Sequence, residues 1–199
     1  MSKETIASVI EAEGEELRKL AGRIDCDTVQ KLINWIVGHP QKNLFFTGCG
    51  TSGTAAQKIV HTLRVVNQPA FYINPSDAVH GSIGVVGEGD MVVFVSKGGG
   101  TKELVAFLEN VRAKNAYVVA VTENAGSTIA KAADLTLLVR IDCEPDDFNM
   151  LATASTLAVI SVFDAVAIHV ARATGFSKKD FLENHPSGAV GERLLAEVR

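Results

Sequence analysis

Hydrophobic residues follow two different spacings along the chain, one on each side of Pro40. Before Pro40, apolar residues recur every three or four positions among charged ones. This pattern predicts an amphipathic helix over residues 3–22 and a second helix, with Asp27 as its candidate N-cap, that carries Val29, Leu32, Ile33 and Ile36. Proline cannot continue a helix, so the second helix ends before it. After Pro40, short apolar runs alternate with helix-like segments. These runs predict strands at residues 43–47, 70–73, 91–96, 117–122 and 135–140.

The predicted strands are nearly continuous apolar runs, as in a parallel sheet that helices cover on both faces. Their alternation with helices indicates right-handed βαβ units. The sequence therefore predicts an α/β fold, a three-layer αβα sandwich with a five-stranded parallel sheet in the flavodoxin-like order 2-1-3-4-5. A long apolar helix over 149–173 closes the core. We expect one domain, with N-terminal helices at 1–38, an α/β core at 39–175 and a C-terminal loop and helix (190–198) within 176–199.

Composition narrows the functional classes. The 199 residues are 47% hydrophobic and 21% charged, which excludes an intrinsically disordered chain. A net charge of −4 argues against a nucleic-acid binder that works through general basicity. Three scattered cysteines indicate a reducing compartment and no cysteine-based zinc site. The sequence shows neither a signal-like N-terminus nor an apolar run of roughly 18 residues, so we expect a cytoplasmic protein with no membrane partner.

Two glycine-rich loops carry the clearest chemical signal. Residues 48–53 read GCGTSG and residues 96–101 read SKGGGT, each between the end of a strand and the start of a helix. Such a turn offers free backbone amides and the positive end of a helix dipole to an anion. Because strands 1 and 3 are neighbours in the predicted order, both loops open at the topological switch point, where α/β proteins bind ligands. The candidate binding residues are Gly50, Thr51, Ser52, Ser96, Lys97, Gly98, Gly99 and Thr101.

The first loop also fits the G-x-G-x-x-G pattern of dinucleotide-binding proteins. That site needs an acidic residue near the end of the second strand to bind the ribose. Here the second strand leads to Asn74, with Asp77 a little beyond it. A dinucleotide would also leave the second loop without a role. The pattern therefore favours a phosphate ester over a dinucleotide, and we expect no cofactor and no metal.

Four segments together resemble the sugar isomerase (SIS) domain, most closely its arabinose-5-phosphate isomerase branch. They are the two loops, residues 76–84 (SDAVHGSIG) and residues 185–191 (HPSGAVG), and generic SIS domains lack the last motif. The resemblance implies a phosphosugar ligand, an aldose–ketose isomerisation through an enediol, and a homodimer or homotetramer with sites near the subunit interfaces. Longer members of the branch continue into a tandem CBS regulatory region, which we do not expect here.

The resemblance also suggests which polar residues act on the sugar. By position, Glu144, His80 and His185 match the family's functional residues. Glu144 is the candidate base that moves a proton between adjacent carbons, and the two histidines would orient the sugar or assist ring opening. The residues alone leave other roles open. Glu144 also fits a solvated acidic loop, and His185 fits a structural turn before Pro186.

The chain departs from the family pattern at charged positions. Thr51 stands where the branch has a lysine, Gly100 where the family has a glutamate, and Ser82 where it has an acid. Lys97 is new to the second loop and is the candidate replacement for the missing cation at the phosphate. The sequence therefore predicts a phosphosugar-binding isomerase. The alternative is a catalytically weak phosphosugar-binding or sensor module.

Overall fold

The computed structural model of the protein describes residues 5–188, 192 and 193. Helices and strands alternate after Pro40, as the sequence predicts. The helices are α1 (Ile6–Arg23), α2 (Cys26–Gly38), α3 (Gly50–Val65), α4 (Pro75–Ala78), α5 (Lys102–Ala113), α6 (Thr128–Ala132), α7 (Ala154–Ala173) and α8 (Lys178–Asn184). The strands are β1 (Leu44–Gly48), β2 (Ala70–Tyr72), β3 (Met91–Val95), β4 (Tyr117–Thr122) and β5 (Leu135–Leu138), and a 3₁₀ turn spans Ser82–Val85.

The five strands form one parallel sheet in the order β2-β1-β3-β4-β5, which confirms the predicted topology. In the register of its centre, Phe46 of β1 lies between Tyr72 of β2 and Val93 of β3. The strand order reverses between β1 and β3. The loops that follow these two strands therefore meet at the carboxyl edge of the sheet, next to this reversal.

Helices cover both faces of the sheet, which gives the predicted three-layer αβα arrangement. Successive residues of a strand point to opposite faces. Phe46 and Val93 accordingly pack against α2, α3 and α7, together with Leu20 of α1. Phe45 and Phe94 pack on the other face, against α5 and α6. Because both faces are covered, every residue of β1 and β3 is buried.

The α7 helix is the apolar helix that the sequence predicts near the C-terminus. Among the described residues it is the one helix long and apolar enough to cross a membrane. It packs against α1, α2 and α3, and its Val166 and Val170 are fully buried in the core. Its one acidic residue, Asp164, pairs with Lys58 of α3, as expected for a polar group on a largely apolar helix.

Several predicted boundaries differ from those in the structure, and the start of α7 differs most. The predicted start of α7 at residue 149 is five residues early, because Asp146 folds residues 146–151 into a turn. Its carboxylate accepts hydrogen bonds from the amides of Phe148, Met150 and Leu151 at 3.1, 3.0 and 2.8 Å. Strand β5 ends at residue 138 rather than 140. The predicted helix over 190–198 falls outside the described residues, apart from residues 192 and 193.

Candidate functional site

Both glycine-rich loops lead directly into helices whose first turns are open. The first loop begins α3 and the second begins α5. The residues that precede these helices, Cys49 and Thr101, make no side-chain capping hydrogen bond. The amides at both helix starts therefore keep capacity for an outside acceptor, and the two helix dipoles favour a negative one. This arrangement suits a phosphate group at the carboxyl edge of the sheet.

The second loop has a fixed shape that only glycine allows at one position. Ser96 Oγ shares a hydrogen bond of 2.9 Å with Thr101 Oγ1 and accepts the Gly99 amide at 3.1 Å. Gly99 has a φ of +66°, and a Cβ there would overlap the Ser127 side chain. By contrast, a Cβ on Gly98 would meet nothing within 4 Å. Hydrogen bonds and the Gly99 conformation therefore fix the shape of the loop, whereas the space around Gly98 could accept a side chain.

Replacing Gly99 with alanine is expected to lower the free energy of unfolding by about 1–2 kcal/mol, because the left-handed conformation and the Ser127 contact both oppose a side chain. Urea denaturation measures this loss. Gly98→Ala is the matched control, with an expected change within about 0.5 kcal/mol. Equal stabilities for the two variants would contradict the geometry of the loop.

Lys97 and Glu144 form an ion pair at the centre of the site. The Nζ atom of Lys97 lies 2.8 Å from Oε1 of Glu144, whose side chain is fully buried. The hydroxyl of Ser155 also donates to Oε1, and the amides of Thr153 and Ser155 donate to Oε2 at 3.1 and 3.3 Å. Glu144 therefore joins the second loop to the start of α7. Its role as a base stays a prediction.

The donors around Glu144 hold it in the ionised form. Burial alone raises the pKa of a carboxyl group. Here the Lys97 ammonium, the Ser155 hydroxyl and the two backbone amides outweigh burial and lower the pKa of Glu144 below its ordinary value of 4.5.

A second carboxylate, Glu123, faces the same lysine and is absent from the sequence-based site. Its Oε1 lies 4.0 Å from Lys97 Nζ, is buried, and has no hydrogen-bond partner among the described residues. Burial raises the pKa of Glu123, and the attraction of Lys97 only partly offsets this effect. One sequence signal was available: Glu123 directly follows β4, at the carboxyl edge where ligands bind.

A small cavity lies beside the Lys97–Glu144 ion pair and is lined in part by Lys97 and Glu123. It has a volume of about 80 Å³, and its wall includes Thr51 and Ser52 of the first loop with Lys97, Glu123 and Ser155. Known ligand pockets are larger, on the order of 300–1,000 Å³. The cavity is therefore smaller than a typical ligand pocket, and the half-exposed Lys97 side chain forms part of its wall.

His80 lies on the same edge of the sheet as the loops. It follows α4, which itself follows β2, the neighbour of β1. The side chain is exposed, and its backbone amide donates to the carbonyl oxygen of Asp77 at 3.0 Å. Among residues 5–188, no hydrogen bond or ion pair links its imidazole to the cavity. Nearby, Asn74 caps α4: its side-chain oxygen Oδ1 accepts hydrogen bonds from the backbone amide and the hydroxyl of Ser76.

The structure does not bring His185 to the cavity of its own chain. The neighbouring Asn184 donates to the carbonyl oxygen of Val65 at 3.0 Å and to Asn67 at 2.6 Å. Val65 ends α3, a helix of 16 residues that begins at the first glycine-rich loop. Such a helix is about 24 Å long, so His185 lies near the opposite edge of the sheet. Its ring stacks on Phe181.

The chain matches a known family model and several curated proteins. The SIS domain model matches residues 39–169. The arabinose 5-phosphate isomerase KpsF of Escherichia coli is 30% identical over 194 residues, which are 98% of this chain and 61% of that protein. The arabinose 5-phosphate isomerase KdsD of Francisella tularensis is 32% identical over 186 residues, 92% of this chain and 57% of that protein. The chain thus spans about three fifths of the length of these relatives.

Solved structures give the same result. A Listeria monocytogenes protein described as a candidate sugar-phosphate isomerase superposes with a TM-score of 0.88 at 38% identity, over 94% of this chain and 100% of that one. The c3406 protein of Escherichia coli CFT073, solved in complex with arabinose 5-phosphate, superposes with a TM-score of 0.86 at 27% identity, over 91% of this chain and 95% of that one. By sequence and by fold, the chain belongs to the SIS domain family.

Proposed function

We propose that the protein binds a sugar phosphate and interconverts its aldose and ketose forms, with arabinose 5-phosphate as the first substrate to test. The observation that carries this proposal is the cavity itself. The two glycine-rich loops, whose shape suits a phosphate, lie beside Lys97 and two carboxylates, Glu123 and Glu144. Isomerisation needs these elements: an anchor for the phosphate, a carboxylate for proton transfer and a cation for the oxygen that gains charge. The relatives named above support the choice of substrate.

In this proposal the phosphate binds to the loops rather than to Lys97. The hydroxyls of Thr51 and Ser52 line the cavity, and the amides at the starts of α3 and α5 face the same edge. The Lys97 ammonium already faces two carboxylates, and their negative charges largely cancel the attraction that it would exert on a phosphate dianion. Lys97 therefore serves the sugar end of the ligand, where the carbonyl reacts.

The position of His185 suggests that the reaction depends on oligomerisation. It lies near the edge of the sheet opposite the cavity, so it can reach a sugar only in a neighbouring copy of the chain. We therefore expect a homodimer or homotetramer in the cytoplasm, with His185 of one copy beside the cavity of another. His80, on the cavity edge, serves the copy to which it belongs.

The test is an NMR screen of sugar phosphates in D₂O with the wild-type protein. Arabinose 5-phosphate is expected to convert to ribulose 5-phosphate and to exchange its C2 proton for deuterium. NAD and NADP belong in the same panel, because the first loop also fits the dinucleotide pattern, and they are expected not to bind. Binding of the dinucleotides without binding of any sugar phosphate would refute the proposal.

A second candidate function is a phosphosugar-binding module with weak catalysis. The observation in its favour is the state of Glu144, whose carboxylate is fully engaged by Lys97, Ser155 and two amides. Binding of arabinose 5-phosphate without conversion or proton exchange in the same screen would support the module over the isomerase.

A further inference from the structure

The two carboxylates beside Lys97 lie in opposite environments. Glu144 has a fully buried side chain, and its oxygens accept from Lys97, from the Ser155 hydroxyl and from two backbone amides. Glu123 lies on the cavity wall, and its Oε1 accepts from no group among the described residues. Two titratable groups whose surroundings differ in this way usually have different tasks in one reaction.

A general base needs a free lone pair and a proton affinity suited to neutral pH. Glu144 meets neither condition, because its lone pairs are occupied and its pKa is lowered. Glu123 lines the cavity, its buried Oε1 accepts no hydrogen bond among the described residues, and burial raises its pKa above the ordinary value. Its distance from Lys97, 4.0 Å, leaves the two groups close without a direct bond.

We propose that Glu123 is the catalytic residue that carries the proton between the two carbons of the sugar, and that Glu144 is a positioning residue that holds Lys97 beside the sugar oxygens. This inference rests on the isomerisation proposed above and assigns its proton carrier. The resemblance to the SIS domain family suggested Glu144 for that task.

The step balances without any further reactant. Glu123 removes the proton from C2 of the open-chain aldose, and the electrons of the C2–H bond form the C1=C2 double bond. The C1=O1 π electrons move onto O1, where the Lys97 ammonium stabilises the negative charge. The proton of the O2 hydroxyl passes to O1. The O2 electrons then form the C2=O2 bond, and the C1=C2 electrons take the proton from Glu123 to C1, which restores the carboxylate.

The pH profile of the reaction is expected to report on Glu123. The charged groups around it are Lys97 in the second loop, Glu144 before α7 and Arg140 after β5, and the Ile141 amide donates to its carboxylate. The base must be ionised, so kcat/KM falls as the pH drops through its raised pKa. The negative charge of Glu144 contributes to that raised pKa. Glu144→Gln therefore moves the acidic limb of the profile to lower pH, which a purely structural role would not do.

The decisive experiment compares Glu123→Gln with wild type, using arabinose 5-phosphate as the probe. Titration calorimetry gives the affinity, and NMR in D₂O gives conversion and C2 exchange. Glu123→Gln is expected to bind within about threefold of wild type and to lose about a hundredfold or more in kcat and in exchange. Glu109→Gln, on the exposed surface of α5, is the matched control and keeps full activity. Glu123→Asp retains a carboxylate and gives an intermediate rate even if the glutamine variant folds poorly.

The outcomes separate the two proposals. Active wild-type protein with Glu123→Gln within about threefold of its rate would overturn the role of Glu123 alone. Wild-type protein that binds the sugar phosphate but neither converts it nor exchanges its C2 proton would overturn the isomerisation and the role of Glu123 together. Loss of exchange in Glu123→Gln, with binding retained and the acidic limb shifted in Glu144→Gln, supports both.

Discussion

Replacing Glu144 with glutamine is expected to lower the free energy of unfolding by about 3 kcal/mol near neutral pH. The carboxylate is buried and accepts from Lys97, from the Ser155 hydroxyl and from two amides. A glutamine keeps one acceptor oxygen and turns its NH₂ group towards some of these donors. Buried donors then lose their partner, and the ion pair with Lys97 is gone. Urea denaturation of the two proteins measures the difference.

The pH dependence of that difference follows from the lowered pKa of Glu144. A carboxyl group with a lower pKa in the folded state stabilises the fold fully above its unfolded pKa, near 4.5. The contribution disappears as the pH falls through the folded-state pKa. The gap between wild type and Glu144→Gln should therefore be constant from neutral pH to about pH 5 and shrink below it. Glu109→Gln, an exposed control, should change stability by less than about 0.5 kcal/mol. A gap that widens on acidification would contradict the arrangement.

Burial on both faces explains why the sheet could be predicted from the sequence. The strand over Met91–Val95 is buried at every residue, so its apolar run is unbroken and its type is unambiguous. The start of α7 could not be placed this way. There the side chain of Asp146 competes for backbone amides, and a hydrophobic pattern does not report such a local hydrogen-bonded turn.

From the residues alone, without the family resemblance, only the local parts of the candidate site could be predicted. The two glycine-rich loops and Lys97 are contiguous motifs, and the topology that joins them follows from strand order. The pairing of Lys97 with Glu144 spans 47 residues. Glu123 gave no motif, because one acidic residue after a strand is common in any α/β protein. Its importance comes from an unpartnered oxygen beside Lys97, and only the folded structure shows that.

Lys97→Met is expected to show whether Lys97 stabilises the charge on the sugar oxygen or binds the phosphate. If Lys97 stabilises the charge on the sugar oxygen, its loss lowers kcat by about a hundredfold, in the range found for single electrostatic stabilisers of a transition state. The affinity for inorganic phosphate should change by less than about threefold, because the loop amides and hydroxyls hold the phosphate. Calorimetry with inorganic phosphate and NMR turnover of arabinose 5-phosphate measure the two effects.

The control for this prediction is Lys31→Met. Lys31 is an exposed lysine on α2, and its replacement removes the same charge away from the two glycine-rich loops and the cavity. It should leave both quantities near the wild-type values. A tenfold or greater loss of phosphate affinity in Lys97→Met, with kcat preserved, would instead place the lysine on the phosphate, as the sequence analysis predicts. In that case the ion pair with Glu144 must open when the ligand binds, because a dianion and a carboxylate would compete for the same ammonium.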